Sequence, residues 1–145
     1  DLLIDSERKF FAFYSKDNGL VFSKKTKQFS NMQKSWMSKM GVNEAHTIED
    51  LTPEQKQKNG LFCDQGSCLL ELKNHKILIL INRNHIDAIC NSKADIIINM
   101  TKKYQMPDCK DRSALVIDNT DLINRGNHFL YLKENLSIKI ATSSD

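Results

Sequence analysis

Turn-forming and rigidifying residues are scarce in this sequence of 145 residues: two Pro and five Gly exclude collagen-like, proline-rich and low-complexity chains. Long apolar runs are missing as well. The longest aliphatic stretch is Ile77-Leu78-Ile79-Leu80-Ile81, far short of the roughly 20 residues of a membrane-spanning helix. Charge of one sign is not in large excess, since 21 basic against 18 acidic residues leave +3, and the balance by itself demands neither nucleic acid nor an anionic membrane. No Gly-rich phosphate loop, nucleophile elbow or protease-type Cys and His signature occurs. What remains is a chain that is 40% hydrophobic and 27% charged, enough for one core and about one domain. The start at Asp1, without signal-peptide regions, reads as a cut or processed chain. Lys far outnumbers Arg, and Asn and Ile are abundant, as in compositional drift toward AT-rich codons, which weakens any argument from lysines alone.

Apolar periodicity predicts a mixed α/β fold with layered sheets. Phe10-Phe11-Ala12-Phe13-Tyr14 and Leu20-Val21-Phe22 flank the polar turn Lys16-Asp17-Asn18-Gly19, which reads with Leu2-Leu3-Ile4 as a hairpin or meander. Phe29, Met32, Trp36 and Met40 recur at helical spacing before a Gly41 stop. A polar connection over about 43–60 holds Thr52-Pro53-Glu54-Gln55, a capping box with Pro at the first helical position, and predicts a short surface helix ending near Gly60. Ser67 to Leu72 and Lys76 to Ile81 form a second hairpin about Lys73-Asn74-His75. A helix is expected after Asn84 through Ile86, Ile89 and Cys90, then a strand in Ala94 to Ile98. Leu115 to Ile117 is the next strand. Asp118 caps a helix that Gly126 closes, and Phe129 to Leu132 and Leu136 to Ala141 are final strands. The runs Ile77 to Ile81, Ile96 to Ile98 and Leu115 to Ile117 are too continuously aliphatic for a sheet face in water and are expected as central strands.

Few constellations carry chemistry. The cysteines fall as Cys63-x4-Cys68, Cys90 and Cys109, and only the first pair has zinc-ligand spacing. Disulfides, buried thiols and a metal site all stay open; disulfides would join Cys63 to Cys68 across a hairpin and Cys90 to Cys109. His46, His75, His85 and His128 form no local ligand pair. His85-x-Asp87 is the nearest approach to one, and such a pair is common by chance. Lys24, Lys25 and Lys27 form the densest basic cluster, followed by Lys34 and Lys39 with Phe29 and Trp36 nearby, a composition seen in single-strand binders. Phe29 and Trp36 share the apolar stripe of their helix, however, so a buried pair of rings beside a solvated lysine face is the favoured arrangement.

The ordered set Asp1-Leu2-Leu3-Ile4, Phe29 to Trp36, Phe62-Cys63-Asp64-x-x-x-Cys68, Cys90-x-x-x-Ala94-Asp95-Ile96-Ile97, Cys109, and Val116-Ile117-Asp118 to Gly126 resembles the C-terminal region of the alphaproteobacterial ComEC competence proteins. There a Cys-Asp pair is followed by a second Cys, a Cys precedes an Ala-Asp-hydrophobic strand, and a Val-Ile-Asp segment leads to a Gly-Ala-His-like turn. The resemblance covers nearly the whole chain and departs in two loops, at Gln65-Gly66-Ser67 and at Asn127-His128.

This resemblance implies a domain related to metallo-β-lactamases, on the periplasmic side of an inner-membrane channel that passes one strand of transforming DNA. The His-x-His-x-Asp-His cluster of that fold is missing here, and the chain is short for the full sandwich. A reduced, metal-free derivative with no cofactor is therefore implied, acting as a non-catalytic accessory domain. Its partners would be the rest of the channel and, weakly, single-stranded DNA at Lys24, Lys25, Lys27 and Lys34. An oxidising compartment further implies disulfides at Cys63, Cys68, Cys90 and Cys109. The alternative is a metal-dependent nuclease that degrades the non-transported strand, its site assembled from His85, Asp87, Asp95, Asp118 and His128.

Overall fold

The computed structural model describes residues 1–24, 29–82, 92–101, 114–133 and 137–143. Elements are numbered in chain order. One sheet holds β1 (Leu2–Ile4), β2 (Phe11–Ser15), β3 (Gly19–Phe22), β4 (His46–Thr47), β10 (His128–Leu132) and β11 (Ile138–Thr142), in the spatial order β11-β10-β1-β2-β3-β4. Its pairings are antiparallel except that of β3 with β4. The other sheet holds β5 (Phe62–Cys63), β6 (Ser67–Leu72), β7 (His75–Leu80), β8 (Ile96–Asn99) and β9 (Leu115–Ile117), side by side in that order. Here β5, β6 and β7 form an antiparallel meander, and β7, β8 and β9 run parallel. The helices are α1 (Asn31–Lys39), α2 (Pro53–Lys58) and α3 (Asn119–Arg125), with a 3-10 turn at Ile48–Asp50. The chain is thus mixed α/β with two mixed sheets.

The period-2 side-chain alternation of strands explains how the sheets bury themselves. Leu2, Ile4, Phe11, Phe13, Val21, Leu130 and Leu132 of the first sheet meet Cys68, Leu70, Ile77, Ile79, Ile96, Ile98 and Ile117 of the second in one shared core. The alternate residues Leu3, Ala12, Leu20 and Phe22 face outward onto α1, where they pack with Phe10 and Trp36. Both faces of β2 are therefore dry, which is why Phe10 to Phe13 read as continuous apolar text. The same holds for β7 and β8, whose outward residues Leu78, Leu80 and Ile97 are also buried.

Local chemistry sets the turns. The β6–β7 connection has two residues, Lys73 (φ 48°) and Asn74 (φ 68°), both left-handed as a primed hairpin turn requires, so His75 belongs to β7 rather than to the turn. Helix α1 opens on a capping box in which Ser30 Oγ accepts from Gln33 N and Gln33 Oε1 accepts from Ser30 N. Thr52 and Asp118 cap α2 and α3 as the sequence predicts. Gly126 (φ 83°) closes α3, and a Cβ there would lie 2.0 Å from Ser143 Oγ, so this position needs glycine on two counts.

Three expectations are corrected. Strand β9 lies at the end of its sheet among the described residues rather than in the centre, and Val116 is only half-buried. Met32 is 40% exposed, and Gln33 takes the inward place on α1, its Nε2 donating to the Lys24 carbonyl. Ile81, expected inside a strand, lies beyond the end of β7 and is 48% exposed. The helix expected after Asn84 lies outside the described residues. Strands β4 and β5, two residues each, are too short to show any periodicity in the sequence.

Burial on one face against both faces gives an unequal pair of substitutions. Ile79→Ala, at a fully buried central position, should lower the unfolding free energy by about 3–4 kcal/mol, and Val116→Ala by no more than about 1.5 kcal/mol; urea denaturation of both variants checks this.

Candidate functional site

The Cys63-Asp64-x-x-x-Cys68 segment builds the tip of the β5–β6 hairpin. Asp64 N donates to Ser67 O (2.9 Å), and Asp64 Oδ1 accepts from Gly66 N and Ser67 N (2.8 Å each), so the carboxylate organises the turn. Next along the ladder, Cys63 and Cys68 stand directly opposite, with Cα atoms 4.1 Å apart and sulfurs at a disulfide distance of 2.15 Å. Cys63 is exposed and Cys68 buried. The Gly66 carbonyl accepts from Ile81 N (2.8 Å) and Asn82 N (2.9 Å), which ties the hairpin tip to the carboxyl end of β7. Cys90 and Cys109 lie outside the described residues.

Of the four lysines proposed to meet DNA, Lys24 and Lys34 are exposed beside the start of α1, and Lys25 and Lys27 lie outside the described residues. The aromatic rings are turned inward. Trp36 is 2% exposed and packs on Phe10 (5.0 Å between centroids), Phe129 (6.0 Å) and Phe22 (6.3 Å), while Phe29 packs on Phe22 (5.5 Å). These rings serve the core, not base stacking. Lys39 Nζ sits 4.0 Å from the centroid of Phe129, a cation–π contact at the rim of the same cluster.

The described residues of the dispersed metal hypothesis, Asp95, Asp118 and His128, lie apart in the fold. Asp95 Oδ2 accepts from Lys76 N (2.9 Å) at the start of β8, and Asp118 Oδ1 accepts from Asp121 N (3.0 Å) after the end of β9. In the parallel register Asp95 lies level with Ala114, four positions before Asp118, or roughly 13 Å at strand rise. One metal cannot take both carboxylates. His128 is buried, its Nδ1 2.8 Å from the Gly126 carbonyl. His85 and Asp87 lie outside the described residues. Among the described residues no group of three or more His, Cys, Asp or Glu could hold a metal ion.

Two clefts flank the β1–β2 turn. The first, about 390 Å³, opens between that turn and the start of α1 and is lined by Asp5, Lys9, Phe10, Lys24, Met32 and Gln33 among others. Asp5 is 3% exposed, and burial raises its carboxyl above the usual carboxylate range, against backbone hydrogen bonds from Lys9 and Glu7 that favour the charged form. The second cleft, about 480 Å³, lies at the end of the sandwich and is lined by Glu7, Arg8, Gln65, Ile81, Asn82, Met100 and Thr101. It collects the β1–β2 turn, the hairpin tip and the carboxyl ends of β7 and β8. Sequence inspection missed it because Ser6-Glu7-Arg8-Lys9 reads as an ordinary polar loop. Asn127 was also missed: its Oδ1 accepts from Ser6 N (2.8 Å) and its Nδ2 reaches Met32 Sδ (3.4 Å), joining the β1–β2 turn to α1.

Against this geometry, no protein-family model, no curated protein and no solved structure matches the chain.

Two measurements follow. The Cys63–Cys68 bridge closes a loop of six residues by sequence, so the Cys63→Ala/Cys68→Ala variant should unfold about 2 kcal/mol more easily in denaturant, as the chain-entropy estimate requires. For Asp5, a raised folded-state value means the contribution to stability is full below the ordinary carboxylate pKa of about 3.9 and is lost as pH rises through the folded value. Unfolding free energies of wild type and Asp5→Asn, measured from pH 3 to 7, should therefore diverge in the variant's favour as pH rises.

Proposed function

We propose that this chain is a non-catalytic accessory domain of a ComEC-type DNA-uptake channel, on the periplasmic side of an inner membrane, in a reduced, metal-free form of the metallo-β-lactamase fold. The observation that carries the non-catalytic reading is the use to which the motif acids are put. Asp64, Asp95 and Asp118 each accept backbone N–H groups that shape a turn, lock a strand start or cap a helix. The motif resemblance is thus accounted for by fold-making residues, and two mixed sheets packed on one core suit the reduced sandwich. Contact with DNA would run through Lys24, Lys25, Lys27 and Lys34 as a weak attraction driven by counterion release. Among the described residues no helix is long and apolar enough to cross a membrane, so anchoring would fall to other parts of the channel.

Single-stranded DNA titrated at 50 and 200 mM salt should bind about 50-fold more weakly at the higher salt if four phosphates are neutralised. Replacing all four lysines by Ala should flatten that dependence. Supercoiled plasmid incubated with Mn²⁺ should stay uncut; cleavage that disappears on replacing His85 or His128 would instead establish the nuclease alternative.

A further inference from the structure

The second cleft has features of a built site that the lysine face lacks. Arg8 holds a left-handed backbone (φ 62°), a conformation unfavourable for a non-glycine residue and one that Asn or Gly would adopt more readily. The turn imposes it: Arg8 N donates to Asp5 O (2.9 Å), Asp5 N donates to Phe10 O (3.2 Å), and Lys9 N donates to Asp5 Oδ2 (3.1 Å). Strain of this kind persists where the surrounding structure over-determines it, and here it places Arg8 in the lining of the cleft. Arg8 Nε is buried and has no hydrogen-bond partner among the described residues. The Arg8 side chain as a whole is half-buried, and an anion in the cleft would offset its partial desolvation through the terminal guanidinium nitrogens.

The remaining walls fit the same ligand. Gln65 and Asn82 bring neutral amides, and Ile81 and Met100 bring apolar surface. Thr101, 4% exposed, is held by Asn99, whose Oδ1 accepts from both Thr101 N and Thr101 Oγ1. Among the described residues Glu7 is the one acidic group of the lining, and its carboxylate is paired with Lys9 Nζ at 2.9 Å on the exposed rim. The position, at the carboxyl ends of parallel strands β7 and β8, is where open α/β sheets present ligands.

We propose that this cleft binds a phosphate group through the Arg8 guanidinium, and that the phosphate belongs to the backbone of single-stranded nucleic acid, with an adjoining base against Ile81 and Met100. Only the source of the phosphate rests on the DNA reading above; the site itself rests on Arg8 and the cleft.

Fluorescence anisotropy with a labelled ten-residue oligothymidylate, and amide NMR shifts on adding inorganic phosphate, test it on the same protein. Arg8→Asn, which suits the left-handed backbone, should weaken oligonucleotide binding about tenfold or more, the loss expected for a charge-assisted pair. Arg8→Lys, which keeps the charge but removes the planar guanidinium fork, should recover little of it. Asn82→Asp, an exposed change that sets a carboxylate in the cleft, should weaken binding to a similar degree and covers the case in which Arg8 variants unfold. Inorganic phosphate should shift the amides of Arg8, Asn82 and Thr101 in the wild type and not in Arg8→Asn. Oligonucleotide binding that ignores Arg8→Asn and Asn82→Asp but falls in the lysine variants would overturn this site and leave the proposed function standing. Phosphate binding at Arg8 without any oligonucleotide binding would uphold the site with free phosphate as its source, and the DNA reading would fall.

Discussion

Face-to-face burial of the two sheets is the constraint on which the rest of this molecule depends. Leu2, Ile4, Phe11 and Phe13 can leave water only against Leu70, Ile77, Ile79, Ile96 and Ile98, and the converse is equally true. Neither sheet has another way to cover that face. The first sheet then needs a second cover for Leu3, Ala12, Leu20 and Phe22, which α1 supplies through Trp36. Once the sheets are in contact, the ends of the sandwich become the places where polar backbone must be reconciled with an apolar interior.

The two ends are treated differently. At the end where β7 begins, buried His75 reaches across from one sheet to the other, its Nε2 3.0 Å from the Lys133 carbonyl beyond β10, and Asp1 Oδ2 accepts from Leu132 N (2.7 Å). That end is closed by side chains bonded to backbone. At the end where β7 and β8 finish, the cleft with Arg8 lies, among the described residues, between the β1–β2 turn, the hairpin tip and the strand ends. The hairpin cannot drift away from this cleft, because the Gly66 carbonyl takes both Ile81 N and Asn82 N, and the bridge from Cys63 to Cys68 holds its two strands together behind the tip. A ligand at this end would meet a surface whose parts come from distant stretches of chain and are fixed independently of it, the preorganisation that keeps the ordering cost of binding small.

The short acidic motifs owe their form to backbone needs. An aspartate ahead of β8 and another behind β9 satisfy N–H groups at opposite ends of neighbouring parallel strands, and an aspartate in the hairpin tip takes two N–H groups at once. Similar text in other chains can therefore reflect the same local problem in folding, with or without shared chemistry. Asn127 shows the same economy. It stands in the turn after α3, and its side chain links that turn to the loop after β1 and to α1.

Much of the fold was legible because its signals lie within a few residues of one another. The caps at Thr52 and Asp118, the stop at Gly41, the two long hairpins and the aliphatic strands follow from side chains meeting their own neighbouring backbone or from alternation along a single strand. The inward turn of Trp36 was legible from helical spacing, whereas Phe29 lies ahead of the Ser30 cap, outside α1, and packs on Phe22 through tertiary contact. What the tertiary structure alone decided involves partners distant in sequence. It put β9 at the edge of its sheet, exchanged Met32 for Gln33 on the inner side of α1, and set Asp95 and Asp118 at opposite ends of a parallel pair. It also assembled a cleft from residues 7–8, 65, 81–82 and 100–101. Strand order, register between non-neighbouring segments and the apposition of two sheets are set by burial summed over the whole core, and no local stretch of sequence carries that sum.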